Sequence, residues 1–221
     1  MQFQTLANSQ LRLLACAVLS AAALSGLSTG LLSDEPQRTA GPRPGANRPQ
    51  YTDQGQLKLP ADFQTWVFVG ANLGIEYRDA GANAPAAKQE QPKPAPVGNF
   101  HNIYINPEAY EHFVKTGQFP EPTILVLDIY KAEEGKPKDV VAAGLYPGRQ
   151  SDVAVAVKNS SRPDGSKTDW AYYDFPQGKT TAKAFPDKAC YDCHLQHAET
   201  DNVWVQFYPT LRSAKERAAK R

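Results

Sequence analysis

Apolar residues recur with a period of two along the middle of the chain, and each such run predicts a strand. In Asp152 to Lys158 (DVAVAVK) the alternation is strict: Val153, Val155 and Val157 share one face, and Asp152, Ala154, Ala156 and Lys158 the other. Asn99 to Ile105 (NFHNIYI) and Trp170 to Phe175 (WAYYDF) carry the aromatic and β-branched residues that suit a pleated, half-buried surface. Thr123 to Tyr130 (TILVLDIY) is a near-continuous apolar run of the same kind. Between Ile105 and Thr123 the signals change to those of a helix. Asn106 is an N-cap residue, Pro107 suits the first helical position, Gly117 suits the position after the end, and Tyr110, Phe113 and Val114 supply the buried stripe. Upstream, order is expected from about Leu57, with Phe63, Trp66 and Val67 at helical spacing and a short apolar segment running on to Val69. From Asp201 onward the chain reads as helical, with Pro209 as a break or kink. The pattern predicts an α+β fold: a mainly antiparallel β-sheet flanked by a few helices, in a single domain.

Other stretches have no such period. Residues 34–55 open with a Pro/Gly-rich segment and read as a flexible tether. Asp79 to Gly98 (DAGANAPAAKQEQPKPAPVG) reads as a long, disordered, exposed loop. Before Asp34 the only charged side chain is Arg12, and Leu13 to Leu32 is an uncharged run rich in Leu, Ala and Ser. Residues 1–33 are therefore expected to be a secretory signal peptide, with an uncleaved N-terminal anchor as the alternative, and the protein to be periplasmic or otherwise exported. Cys16 lies at the start of this run, whereas a lipidated cysteine should follow it, so Cys16 is assigned to the discarded segment. The domain proper is expected over 56–213, followed by a basic tail at 214–221.

The 221 residues suffice for one substantial domain, and 41% hydrophobic with 10% aromatic residues argues for a packed core. With 24 Lys+Arg against 23 Asp+Glu, the net charge of +1 gives no electrostatic case for nucleic-acid binding or for a polybasic membrane patch. Three cysteines cannot build a disulfide framework.

Two of those cysteines stand in Cys190-Tyr191-Asp192-Cys193-His194, the C-x-x-C-H attachment signature of haem c. Thiols one helical turn apart can add to the two vinyl groups on one porphyrin edge, and the next histidine then reaches the iron. A disulfide or thioredoxin-like redox pair is the competing reading of C-x-x-C, but no βαβ pattern surrounds the motif. A four-thiolate zinc site is excluded because no second C-x-x-C exists. One motif implies one covalent haem c, with His194 as the metal ligand.

Methionine often fills the second axial position in electron carriers. The one Met is Met1, expected to leave with the signal. His197 is too close to His194 along the chain to cross the ring. His112, between Glu111 and Phe113 on an amphipathic helix, reads as a surface residue. His101, in an aromatic strand, is either a structural histidine or a distal ligand. Five-coordinate iron with one open face is the expected state, which favours small-ligand binding or catalysis over simple electron shuttling.

The blocks FHNIYINPEAYEHF, KTGQFPEPTILVLDIY, VAVKNS, WAYYDF, ACYDCH and DNVWVQFYPTLR occur here in an order that resembles the cytochrome P-460 family, over roughly Gln56 to Ser213. The resemblance implies a mainly antiparallel β fold with helices, often dimeric, with Cys190 and Cys193 as covalent haem links and His194 as the proximal ligand. Founding members oxidise hydroxylamine with a lysine cross-linked to the porphyrin and an acidic residue near the open iron face. Alignment puts Leu127 at the lysine position and Ala154 at the acidic one, and both departures argue against that chemistry. Lys131 shares the strand face of Leu127 but lies about two strand repeats away. What remains resembles the uncross-linked cytochromes c-prime-beta, which bind nitric oxide and carbon monoxide in an apolar distal pocket. Leu127 is then expected against the haem, with Phe100 as an aromatic wall. Leu125 and Ile129 share the face of Leu127, either in the pocket or as ordinary sheet core.

The resulting expectation is a monohaem cytochrome that binds NO or CO, or transfers electrons, as a homodimer with a partner cytochrome. The rival is a hydroxylamine-oxidising (nitrogen oxide) haem oxidoreductase with another proton relay, such as His101. A third reading, a peroxide-reactive haem protein, has no dedicated sequence feature.

Overall fold

A computed structural model of the protein describes residues 47–75, 98–135 and 143–220. The expected signal segment, Cys16, the start of the tether and the Ala/Pro-rich loop up to residue 97 lie outside the described residues.

Five strands form an antiparallel meander: β2 (Val67–Leu73), β3 (Asn99–Ile105), β4 (Thr123–Gly135), β5 (Gly144–Lys158) and β6 (Trp170–Pro176). A short pair, β1 (Leu57–Lys58) with β7 (Thr181–Ala182), makes a second sheet. Among the described residues the three α-helices are α1 (Pro107–Thr116), α2 (Asp187–His197) and α3 (Pro209–Ala218). The fold is thus α+β, as the periodicity predicts. All four middle strands lie where the pattern puts them, and β4 and β5 run on beyond it. Their extensions, Tyr130–Gly135 and Gly144–Gln150, pair through two register shifts. These mostly polar stretches carry no core-facing pattern, so sequence alone did not mark them.

The period of two sorts the sheet into two cores. Val153, Val155 and Val157 face a cluster that includes Ile124, Val126, Tyr173 and Phe175, closed by Leu57, Phe63 and Trp66. The opposite face, with Ile103, Ile105, Leu125 and Tyr172, packs against α1 and α3 through Phe113 and Leu211. Phe113 stacks on Phe119 at a centroid distance of 4.3 Å, and Phe119 meets Trp170 edge-on at 6.1 Å.

α1 begins and ends as predicted, with Gly117 at φ 72° donating its N–H to the Phe113 carbonyl. Asn106 does not cap it with its side chain. Its Oδ1 accepts the Ile124 N–H at 2.8 Å, and Nδ2 donates to the carbonyls of Asn47 (3.3 Å) and Pro122 (3.5 Å). The residue ties the helix start to the first turn of β4 instead.

Two local expectations are corrected. Phe63, Trp66 and Val67 do not form a helix: a single 3-10 turn, Phe63–Thr65, ends at an extended Trp66 and gives way to β2. The Val-Phe-Val run prefers the pleated sheet to a helix, where branched and aromatic side chains lose rotamer freedom. Pro209 does not interrupt a helix either; it opens α3 at the first position, where the missing N–H costs nothing. A 3-10 turn, Val205–Phe207, precedes it. α3 carries helix into the expected tail and buries Ala214.

Candidate functional site

The C-x-x-C-H motif lies on α2, which packs against β6. Cys190 and Cys193 are free, partly buried thiols three residues apart on that helix. Burial pushes the Cys190 thiol above its ordinary pKa, with Cys193 adding to the shift. A thioredoxin-like nucleophile has the opposite, a thiol that ionises easily.

His194 is held on two sides. Its Nδ1 lies 2.8 Å from the Asn202 backbone carbonyl. A carbonyl only accepts, so Nδ1 carries the proton and Nε2 presents the lone pair. Trp204 Nε1 donates to that Nε2 at 3.3 Å. The Tyr172 ring lies 4.3 Å away, centroid to centroid. Burial holds the imidazole below its ordinary pKa, against the opposing pull of the Asn202 carbonyl. A neutral imidazole with one nitrogen anchored and the other basic is the form that ligates metals.

His194 and Cys190 line a cavity of about 200 Å³ together with Leu125, Leu127, Ala154, Ala156 and Tyr172. A larger cavity of about 520 Å³ contains His101 and Ile129. Leu127, Ala154, Trp204 and Tyr208 line both, so the two are adjoining compartments. The space exists because β5 alternates: its valines go to the opposite core, while Ala154 and Ala156 face this side and leave volume that larger side chains would fill.

Leu127 and Ala154 are direct cross-strand partners. The two positions singled out in the sequence therefore meet on one cavity wall. Leu125 faces the smaller compartment, Ile129 the larger, and His101 reaches the larger from β3. Lys131 is exposed and pairs in register with Asn99. His112 and His197 are exposed.

Phe100 is not a wall of either compartment. It pairs with Tyr130 and alternates with His101, so the pleat turns it to the other face of the sheet. Aromatic walls come instead from Trp204, Phe207 and Tyr208, in the segment before α3. That segment approaches β2 closely at Gly70, where a Cβ would stand 3.0 Å from Pro209 Cδ and 3.2 Å from Tyr208 Cα.

The expected apolar pocket is also incomplete as a description. Asn72 and Asn99 line the larger compartment, and Asn72 is the register partner of His101. Asn72 Oδ1 is buried with no hydrogen-bond partner among the described residues. Asn72 escaped the sequence reading because the strand around it was expected to end near Val69. The mix is two thiols one helical turn apart, a neutral histidine, and a large cavity that is apolar on one side and polar on the other. That set fits a haem and its thioether links.

The family model described as Cytochrome P460 matches residues 60–205. No curated protein matches the chain.

Proposed function

Since this chain belongs to the cytochrome P460 family and is thereby a haem cytochrome, we propose that it carries one haem c whose iron binds small diatomic ligands. Cys190 and Cys193 are the thioether links, and His194 Nε2 is the proximal ligand. When bound, the haem supplies an iron that can take a ligand and change oxidation state. The chain's own part is to hold that ligand's surroundings. Leu127 provides no nucleophile for a porphyrin cross-link and its partner Ala154 no carboxyl group for proton transfer. An apolar wall offers water and anions no hydrogen bond, so it favours neutral NO or CO. The observation that carries this reading is the cross-strand pairing of Leu127 with Ala154 on the wall shared by both compartments. It supports the uncross-linked cytochrome c-prime-beta branch. The Arg12-led apolar run supports export to the periplasm. A partner cytochrome and a homodimer complete the proposal.

A second reading, oxidation of hydroxylamine, draws on His101, Asn72 and Asn99, which give the larger compartment hydrogen-bonding groups. The test is carbon monoxide binding to the reduced protein beside hydroxylamine turnover with an electron acceptor. Diatomic binding without turnover is expected, and Leu127→Phe, which narrows the shared wall, should slow carbon monoxide association about 10-fold or more, equivalent to about 1.4 kcal/mol in the barrier. Sustained turnover that is lost in His101→Leu would favour the second reading.

A further inference from the structure

Asp201 and Asn202 are consecutive residues with left-handed backbones, φ 47° and 60°. Residues with a Cβ avoid this region, and Asp and Asn are among the few that enter it. Two in succession make the tight turn of a two-residue hairpin, closed here by backbone hydrogen bonds in both directions between Thr200 and Val203 (2.8 and 3.4 Å).

An ion pair and an indole tie this turn to the sheet. Lys158 Nζ, at the end of β5, lies 2.7 Å from Asp201 Oδ2 and donates to the Phe119 carbonyl at 3.1 Å. Trp170 Nε1 donates to Asp201 Oδ1 at 3.1 Å, from a fully buried ring. Lys158 and Trp170 are themselves register partners across β5 and β6. Asp201 is thus gripped at both carboxylate oxygens by adjacent strands of the sheet. The next carbonyl, that of Asn202, accepts from His194 Nδ1 at 2.8 Å and from Tyr172 Oη at 3.4 Å.

Resting on the assignment of His194 as the iron ligand, we propose that Asp201 is a positioning residue for that histidine, clamped by Lys158 and Trp170 so that the Asn202 carbonyl stays on Nδ1–H. The hydrogen bond fixes the tautomer and the ring orientation, and it makes Nε2 a stronger donor. Releasing Asp201 unties this hairpin turn from the sheet, lets it shift as a unit and carries the Asn202 carbonyl off the imidazole. His194 Nε2 would then be a weaker donor to a haem iron held there.

The test compares the haem-loaded parent with Asp201→Ala and Lys158→Gln, reading the ferrous iron–histidine stretching mode by resonance Raman and the reduction potential. A bare charge effect moves the potential in opposite directions, because one variant removes a negative charge and the other a positive one. The clamp moves both the same way: the stretching frequency falls and the potential rises in each, since a weaker donor stabilises ferric iron less. Asn202→Gly keeps the backbone carbonyl and the left-handed turn, so the parental frequency is expected. Opposite potential shifts with an unmoved stretching mode would overturn the clamp and leave the haem assignment standing. An iron–histidine mode that survives in His194→Gly would overturn the ligand assignment and the clamp with it. Lys158 and Asp201 side chains are 16% and 30% exposed, so at least one variant is expected to fold, and either alone decides the direction of the frequency shift.

Discussion

Cys190 and Cys193 occupy one helix three residues apart, which makes their contributions separable. Cys190→Ala and Cys193→Ala should each keep haem through the remaining link, with the haemochrome band displaced toward the red. The double variant should lose the haem stain on a denaturing gel. Trp204 presents a different kind of test. Its N–H sits on the His194 Nε2 lone pair, and one lone pair cannot serve both an indole and an iron. Trp204→Phe should therefore retain covalent haem, which the same stained gel would show. At this scale the motif residues were legible because spacing alone defines their chemistry. Leu127 and Ala154 were legible through alignment and the alternation of strands. Phe100 was misplaced by one position: its neighbour His101 has the cavity side, and aromatic character says nothing about which face of a strand a residue takes. Asn72 was invisible because its strand was not expected to reach it.

α1 anchors the haem-side core through Phe113, which is fully buried between the sheet and Phe119. Phe113→Ala should cost about 3–5 kcal/mol in denaturant unfolding, the range for deleting a buried aromatic side chain. Gly70 is where β2 lets the Tyr208–Pro209 backbone come close. Gly70→Ala should cost about 1 kcal/mol by overpacking and shift the ligand-binding kinetics, because Tyr208 walls both compartments. At the turn before β4, Glu121 accepts the Ser160 N–H at 2.9 Å and its hydroxyl at 2.7 Å, joining it to the end of β5. These bonds hold its carboxyl below the ordinary pKa of 4.5. A lowered folded-state pKa means the stabilisation is present above that value and is lost as pH falls through the lower one. The stability gap between parent and Glu121→Gln should be small, since the group is exposed, and should close as pH drops below 4.5. Element boundaries were clearest where chemistry punctuates them, as with Pro107 and Gly117. Pro209 was recognised as a boundary but assigned to the wrong side, since proline both opens helices and breaks them.

The whole molecule is a meander whose two faces do different jobs. Valines and aromatics close one face into a plain core, while alanines on the other leave the space that α2 borders with the haem motif. The α+β class and this division followed from the period of two. The walls from residues 204–208 did not: that segment was expected to be helical, but it forms a single 3-10 turn that tertiary packing brings to the sheet. The claim that unites these features is a covalent, uncross-linked haem with one open iron face. The absorption spectrum of the purified, dithionite-reduced protein, before and after carbon monoxide, tests it most directly. An ordinary haem c spectrum whose Soret band moves on adding carbon monoxide is the predicted result. A strongly red-shifted reduced band, or an ordinary spectrum that carbon monoxide leaves unchanged, would contradict it: the first through a cross-link despite Leu127, the second through a sixth ligand such as His101.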